Sequence, residues 1–207
     1  MIFKIRIFLI SLVGLLVVSQ GVFYAGENPL VDIQKINPDI RIDVRYATAD
    51  NFMYEVLYPE ARCLLRREVA EKLSKVQASL WKRGLGLKVF DGYRPLSVQK
   101  KLWERFPFEG FVANPAKGSN HNRGAAVDLT LVDFDGNEFP MPSAYDEFSE
   151  RSHRNYAGGT EEERKNRQLL EDEMKKEGFK GLSSEWWHFD DENAKSYPVL
   201  DLPFSEV

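Results

Sequence analysis

Apolar and polar positions along this chain sort into short strands and longer helices. Ile40-Arg41-Ile42-Asp43-Val44 alternates apolar and polar residues, which is a strand pattern. From Arg66 to Arg83 the period changes: Val69, Leu73, Val76 and Leu80 recur at helical spacing, and Gly84 ends the run. Leu87 to Phe90 reads as a short strand, followed by the turn Asp91-Gly92-Tyr93-Arg94-Pro95 and a helix from Leu96 to Arg105, started by Pro95. Gly110 to Gly124 is loop-like, and Ala126 to Val132 is a strand closed by the turn at 133–137. Residues 138–160 form a long polar segment, and loops of that length inside a compact domain usually carry function. Thr160 and Glu163 form a capping box that opens a helix running to Glu177 and stopped by Gly178. A strand is expected around Trp186 to Phe189. Strands and helices mix without regular alternation, and no linker divides two cores, so the expected class is a single α+β domain.

The first residues follow different rules. Lys4 and Arg6 precede an uninterrupted apolar run, Ile7 to Val18, and Ala25-Gly26-Glu27 lies beyond it. Basic head, short apolar middle and small residue are the order of a secretory signal cut after Ala25. The run is shorter than the roughly 20 apolar residues of a spanning helix, and an uncleaved anchor is the alternative. The expected division is therefore a signal or anchor at 1–25 and one folded domain at 26–207, exported to the periplasm or another extracytoplasmic space. The membrane is a partner only if the segment stays attached.

Composition narrows the partners. Hydrophobic residues make up 43% and charged residues 29% of 207, an ordinary balance for a folded domain. Without Lys4 and Arg6 the 28 basic residues become 26 against 32 acidic, a net charge of −6. That sign argues against nucleic acid and anionic membrane surfaces, and nothing implies a protein partner. Cys63 is the only cysteine, which excludes an internal disulfide and reads as a small buried apolar residue.

The candidate chemistry sits in three places. His121 lies in a polar loop seven residues before Asp128, a carboxylate set in an apolar strand. An acid there must be paired or bound to a cation, and His with Asp suits zinc. Glu185-Trp186-Trp187-His188 adds a second imidazole and a free acid beside two indoles, which can exclude water and raise the pKa of a carboxylate. Two His and one Asp with one open position describe a catalytic rather than a structural zinc site. Glu185 and His188 are three apart and would face opposite sides of a regular strand; Glu185 is expected before the strand proper or at a bulge. Arg94, in the turn after a strand, offers a fixed guanidinium for a developing oxyanion.

The segments Tyr46-Ala47-Thr48, Asn51-Phe52, Asp91-Gly92-Tyr93-Arg94-Pro95, Ser119 to Leu131, Glu150-Arg151-Ser152-His153, Asn166-Arg167 and Glu185-Trp186-Trp187-His188 resemble, in order, the VanX-type D-alanyl-D-alanine dipeptidases. The resemblance implies a Hedgehog/D,D-peptidase-like fold, a small antiparallel sheet against helices. It implies one zinc ion per chain on His121, Asp128 and His188, Glu185 as base and Arg94 at the transition state. Ser119 and Asp146 would read the free amino group of a small dipeptide substrate, and the 138–160 segment would stop longer chains. His153 falls off the metal, with a structural hydrogen-bonding role. Export implies turnover of cell-wall D-alanine rather than glycopeptide resistance. The alternatives are a carboxypeptidase or endopeptidase on longer wall peptides, or a wall-binding module without catalysis.

Overall fold

The computed structural model describes residues 28–108 and 110–207; the expected signal or anchor at 1–25 lies outside them. Eleven elements build the domain. In chain order they are β1 (Leu30–Asp32), α1 (Ile33–Ile36), β2 (Arg41–Ile42), β3 (Leu64–Arg66), α2 (Arg67–Trp81), β4 (Gly86–Asp91), α3 (Leu96–Arg105), β5 (Ala126–Val132), α4 (Glu161–Lys176), β6 (Phe179–Gly181) and β7 (His188–Asp191). Five strands form one sheet in the order β2-β4-β5-β7-β6, and β1 pairs with β3 apart from it.

The helices form where local signals put them. Thr160 accepts from the backbone of Glu163 and Glu163 accepts from the backbone of Thr160, so the capping box at the start of α4 is complete. Gly178 ends the helix at φ +82°, a conformation other residues adopt only with strain. Helix α2 buries Val69, Leu73, Val76 and Leu80 against Val89, Val127, Leu129 and Leu131 of the sheet, with Leu170 and Met174 of α4 in the same core. Each such side chain contributes about 1.5–3 kcal/mol on burial.

Strand β5 is buried along its whole length. Val127, Leu129 and Leu131 point into the helix-covered core, so Asp128 between them points to the opposite face. The sheet therefore has a packing face and a chemical face.

Three expectations change. The strand expected at 40–44 shortens to Arg41–Ile42 and runs parallel to β4, so the sheet is mixed rather than wholly antiparallel. The strand expected at 186–189 begins at His188 and runs to Asp191. Trp186 and Trp187 precede it because both indoles are buried in edge-to-face contact at 5.4 Å, and Trp186 donates its backbone N–H to Ser152 rather than to a neighbouring strand. The pieces β1, β3 and β6 are three-residue strands, too short for a periodic signal.

Gly92 couples this frame to the chemical face. A Cβ at that position would meet Cys63 Sγ at 2.5 Å and the Leu64 carbonyl oxygen at 2.9 Å. The neighbouring Tyr93 N–H donates to that carbonyl, so the backbone cannot back away freely. Gly92→Ala is expected to cost about 1–3 kcal/mol, the scale of overpacking, read as a lower denaturant midpoint at unchanged slope.

Candidate metal centre

Strand register brings the site together. Asp91 on β4 sits opposite Asp128 on β5, and Asp128 sits opposite His188 on β7. A shift in register between Val89 and Asp91 brings the end of β4 into this row. His121 arrives from the other side on a 3-10 turn, His121–Arg123, which closes on Gly124 at φ +66°. The Gly124 carbonyl accepts from Arg66 N–H at 2.8 Å, tying the turn to the start of α2.

Three atoms converge. His188 Nδ1 lies 3.0 Å from Asp128 Oδ1, His121 Nε2 lies 3.1 Å from His188 Nδ1, and His121 Nε2 lies 3.4 Å from Asp128 Oδ1. All three side chains are buried. The outer ring nitrogens are already engaged: His121 Nδ1 is 2.7 Å from the Gly92 carbonyl oxygen, and His188 Nε2 is 2.9 Å from Asp190 Oδ1. A carbonyl and a carboxylate can only accept, so each outer nitrogen carries a hydrogen, and with a cation at the centre each inner nitrogen would turn its lone pair to it. Two imidazole nitrogens and a carboxylate oxygen thus face one point, the donor set of a metal site. Metal–ligand bonds of about 2.0–2.1 Å at tetrahedral angles put ligand atoms roughly 3.3 Å apart, and the observed triangle fits. Outer partners on both imidazoles are also what metal sites use to fix ligand orientation. Burial raises the pKa of Asp128, but His121 and His188 outweigh it and hold the carboxyl well below the usual range.

The cavity over this triangle measures about 240 Å³, and Glu185, Arg94, Ser119 and Asp146 all line it. Glu185 precedes β7 in a turn, its N–H donating to the Leu182 carbonyl, which frees it from strand alternation and lets it share the site with His188. Burial pushes its pKa up to about 8 against the pull of His188.

Arg94 is held rather than free. Its Nε and Nη2 donate to Asp91 Oδ2 at 3.1 and 2.7 Å, and Nη1 donates to Gln99 Oε1 at 2.9 Å. Asp91 accepts from Tyr58 Oη and Gly92 N–H through its other oxygen. Among the described residues these take three of the five guanidinium N–H groups, and Arg94 lines the cavity.

Ser119 is buried and its Oγ accepts from His121 N–H at 3.2 Å, so it also braces the ligand turn. Asp146 adopts φ +56°, a left-handed conformation that Asp tolerates better than most residues. Its Oδ2 accepts from Tyr46 Oη at 3.1 Å. Burial drives its pKa well above the usual carboxylate range, with Asp128 and Glu185 adding to the effect. A carboxyl so placed gains strongly from an arriving cationic group.

His153 lies away from the triangle, beside Phe111 at 6.4 Å between ring centroids. Among the described residues its hydrogen bonds come from the backbone, whose N–H donates to Glu150 and whose carbonyl accepts from Arg167. The expected bonding role belongs to the main chain and not to the imidazole. Sequence reading gave no role to Asp91, Gln99, Asp190 or Tyr46. Asp91, an acid ending an apolar strand, carried the same signal as Asp128; Gln99 and Asp190 carried none, because each is one polar residue among many.

Comparison with known proteins adds the relationship. A family model described as peptidase M15, D-ala-D-ala dipeptidase, matches residues 26–207. The chain is 43% identical over 176 residues to the D-alanyl-D-alanine dipeptidase of Escherichia coli (strain K12), covering 85% of this chain and 91% of the relative. It is 33% identical over 198 residues to that of Enterococcus faecium, covering 83% and 96%. Among solved structures it is similar to the vancomycin resistance D,D-dipeptidase VanXYg in complex with a D-Ala-D-Ala phosphinate analog, at 23% identity, TM-score 0.38, and 67% and 55% coverage of the two chains; at that score the likeness adds no argument. A buried triad suited to a cation, a neighbouring carboxylate of raised pKa, and a match across nearly the whole described chain at these identities place this chain in the peptidase M15 family of D-Ala-D-Ala dipeptidases.

Proposed function

We infer that this chain hydrolyses D-Ala-D-Ala to two D-alanines, with a zinc ion held by His121, Asp128 and His188. The observation that carries the reading is the triangle of two imidazole nitrogens and a carboxylate oxygen with Glu185 on the same cavity. When bound, zinc supplies a Lewis acid for the scissile carbonyl and makes water a better acid near neutral pH.

The rest is the work of side chains. Glu185 takes a proton from the attacking water as its oxygen bonds to the peptide carbon. It passes that proton to the nitrogen of the breaking C–N bond, which leaves as the amine of the second alanine. Burial favours the protonated form of Glu185, which helps it hold the proton between the two transfers. Arg94 faces the negative charge that develops on the carbonyl oxygen, and Asp91 and Gln99 keep its plane fixed so that little reorganisation is needed. Asp146 and Ser119 receive the free ammonium of the first alanine, the former supplying charge in a closed pocket.

The N-terminal pattern of Lys4, Arg6 and the apolar run supports export, with the segment cut after Ala25 or kept as an anchor. Outside the cytoplasm the substrate is dipeptide released from the wall, and the role is recovery of its D-alanine.

A side-by-side assay of D-Ala-D-Ala, L-Ala-L-Ala and a wall pentapeptide tests this. The D,D-dipeptide is expected to be cut faster than the pentapeptide by a factor on the order of 10² or more, because an acylated nitrogen leaves Asp146 without its cation, and faster than L-Ala-L-Ala, whose opposite configuration displaces the methyl groups or the carbonyl once the ammonium is at Asp146. Cleavage of the pentapeptide without the dipeptide would transfer the chain to the carboxypeptidase reading. Binding of wall fragments without turnover would make it a binding module.

A further inference from the structure

We propose that Phe52, Phe111 and Phe148 form the wall that sets the size of the first residue of the substrate, acting together with Tyr46. The proposal rests on the dipeptidase reading, and in particular on an ammonium at Asp146.

The rings come from three distant segments and line one cavity with the metal triangle. They are continuous from the carboxylate outward. Tyr46 donates to Asp146, Phe52 meets Tyr46 edge-on at 6.1 Å, Phe148 meets Phe52 at 5.0 Å, and Phe111 meets Phe148 at 5.0 Å. With the ammonium at Asp146, the substrate atoms nearest the wall are the first residue's side chain and any extension of its nitrogen. Four rings offer such an extension only the Tyr46 hydroxyl, and that hydroxyl is already given to Asp146. The carbonyl of a longer peptide would lose water there and find no donor among the rings, since the Tyr46 hydrogen goes to Asp146. Exclusion is therefore polar as well as steric.

Phe52 packs both on the edge of the main core and on a small cluster of Met53, Leu102 and Val112. Phe52, Phe111 and Phe148 are each partly exposed. Trimming one ring opens the cavity without removing a central packing residue.

The test uses the full chain loaded with zinc and three substrates: D-Ala-D-Ala, D-Leu-D-Ala, which keeps the ammonium and adds only bulk, and D-Ala-D-Ala carrying one further N-terminal residue. Phe148→Ala is expected to raise the ratio of kcat/KM for D-Leu-D-Ala over D-Ala-D-Ala by about tenfold or more relative to wild type, the scale on which a pocket reads a few methylenes. The extended peptide should gain less, since its carbonyl still lacks a donor. Phe111→Leu provides a milder trim if Phe148→Ala does not fold, with the same direction expected. A ratio within twofold of wild type, or below it, in a folded variant overturns the wall. Wild-type protein that cuts none of the three overturns the dipeptidase reading itself, and the wall with it.

Discussion

Glu185→Gln is expected to lower kcat for D-Ala-D-Ala by about 10²–10⁴-fold, the usual worth of a general base, while zinc content stays at one per chain. The amide keeps the size of the side chain and cannot accept the proton from water. A second effect separates this variant from ordinary damage. Burial favours the neutral acid, raising the pKa of Glu185 from 4.5 to about 8. Between those values the folded metal-free chain holds a proton that the unfolded chain releases. Its contribution to stability is therefore complete below pH 4.5 and is lost as pH rises through 8. A glutamine never ionises, so metal-free Glu185→Gln is expected to outlast the wild type in denaturant at pH 8, by a few kcal/mol at most. Activity within tenfold of wild type would remove Glu185 from the mechanism. Equal metal-free stabilities at pH 8 would mean that water reaches the carboxyl.

Removing a ligand acts on a different quantity. His121→Ala and Asp128→Asn each delete one corner of the triangle, and both are expected to lose zinc binding by a factor on the order of 10² or more, with activity falling in step. Asp190→Asn leaves all three ligands but weakens the acceptor that orients His188, and a loss of about 10–100-fold in affinity is expected. Metal analysis after dialysis against a graded chelator ranks the three. Thermal unfolding supplies an independent reading: zinc at 100 times its dissociation constant stabilises the native state by about 2.7 kcal/mol, so Tm should rise with zinc in wild type and hardly move in His121→Ala. Full zinc occupancy in His121→Ala at low metal would show that the triangle is not the site.

Both experiments lean on Asp128, and its setting shows how register creates chemistry. On β5 its neighbours Val127 and Leu129 commit to the core, and strand alternation then leaves the carboxylate on the other face. Pairing with β7 sets His188 directly across from it, and pairing with β4 sets Asp91 on its other side. Asp91 in turn holds Arg94. One row across three strands thus connects the metal corner to the guanidinium. A slip of one residue in either pairing would turn these groups to the wrong face.

What the sequence determined alone is what neighbours in the chain decide among themselves. Helices α2, α3 and α4 and strand β5 were legible because periodicity, caps and turn residues act within a few positions. So were the residue types of the buried His-Asp-His group and the need for Glu185 to sit before its strand, since three residues apart is a local constraint. The tertiary structure decided the rest: the parallel pairing of β2, the start of β7 at His188, the outer partners Gly92 and Asp190, and the ring wall drawn from residues 52, 111 and 148. These depend on which distant segments bury their surface together. That is a competition among whole-chain packings, and no window of the sequence contains both sides of it.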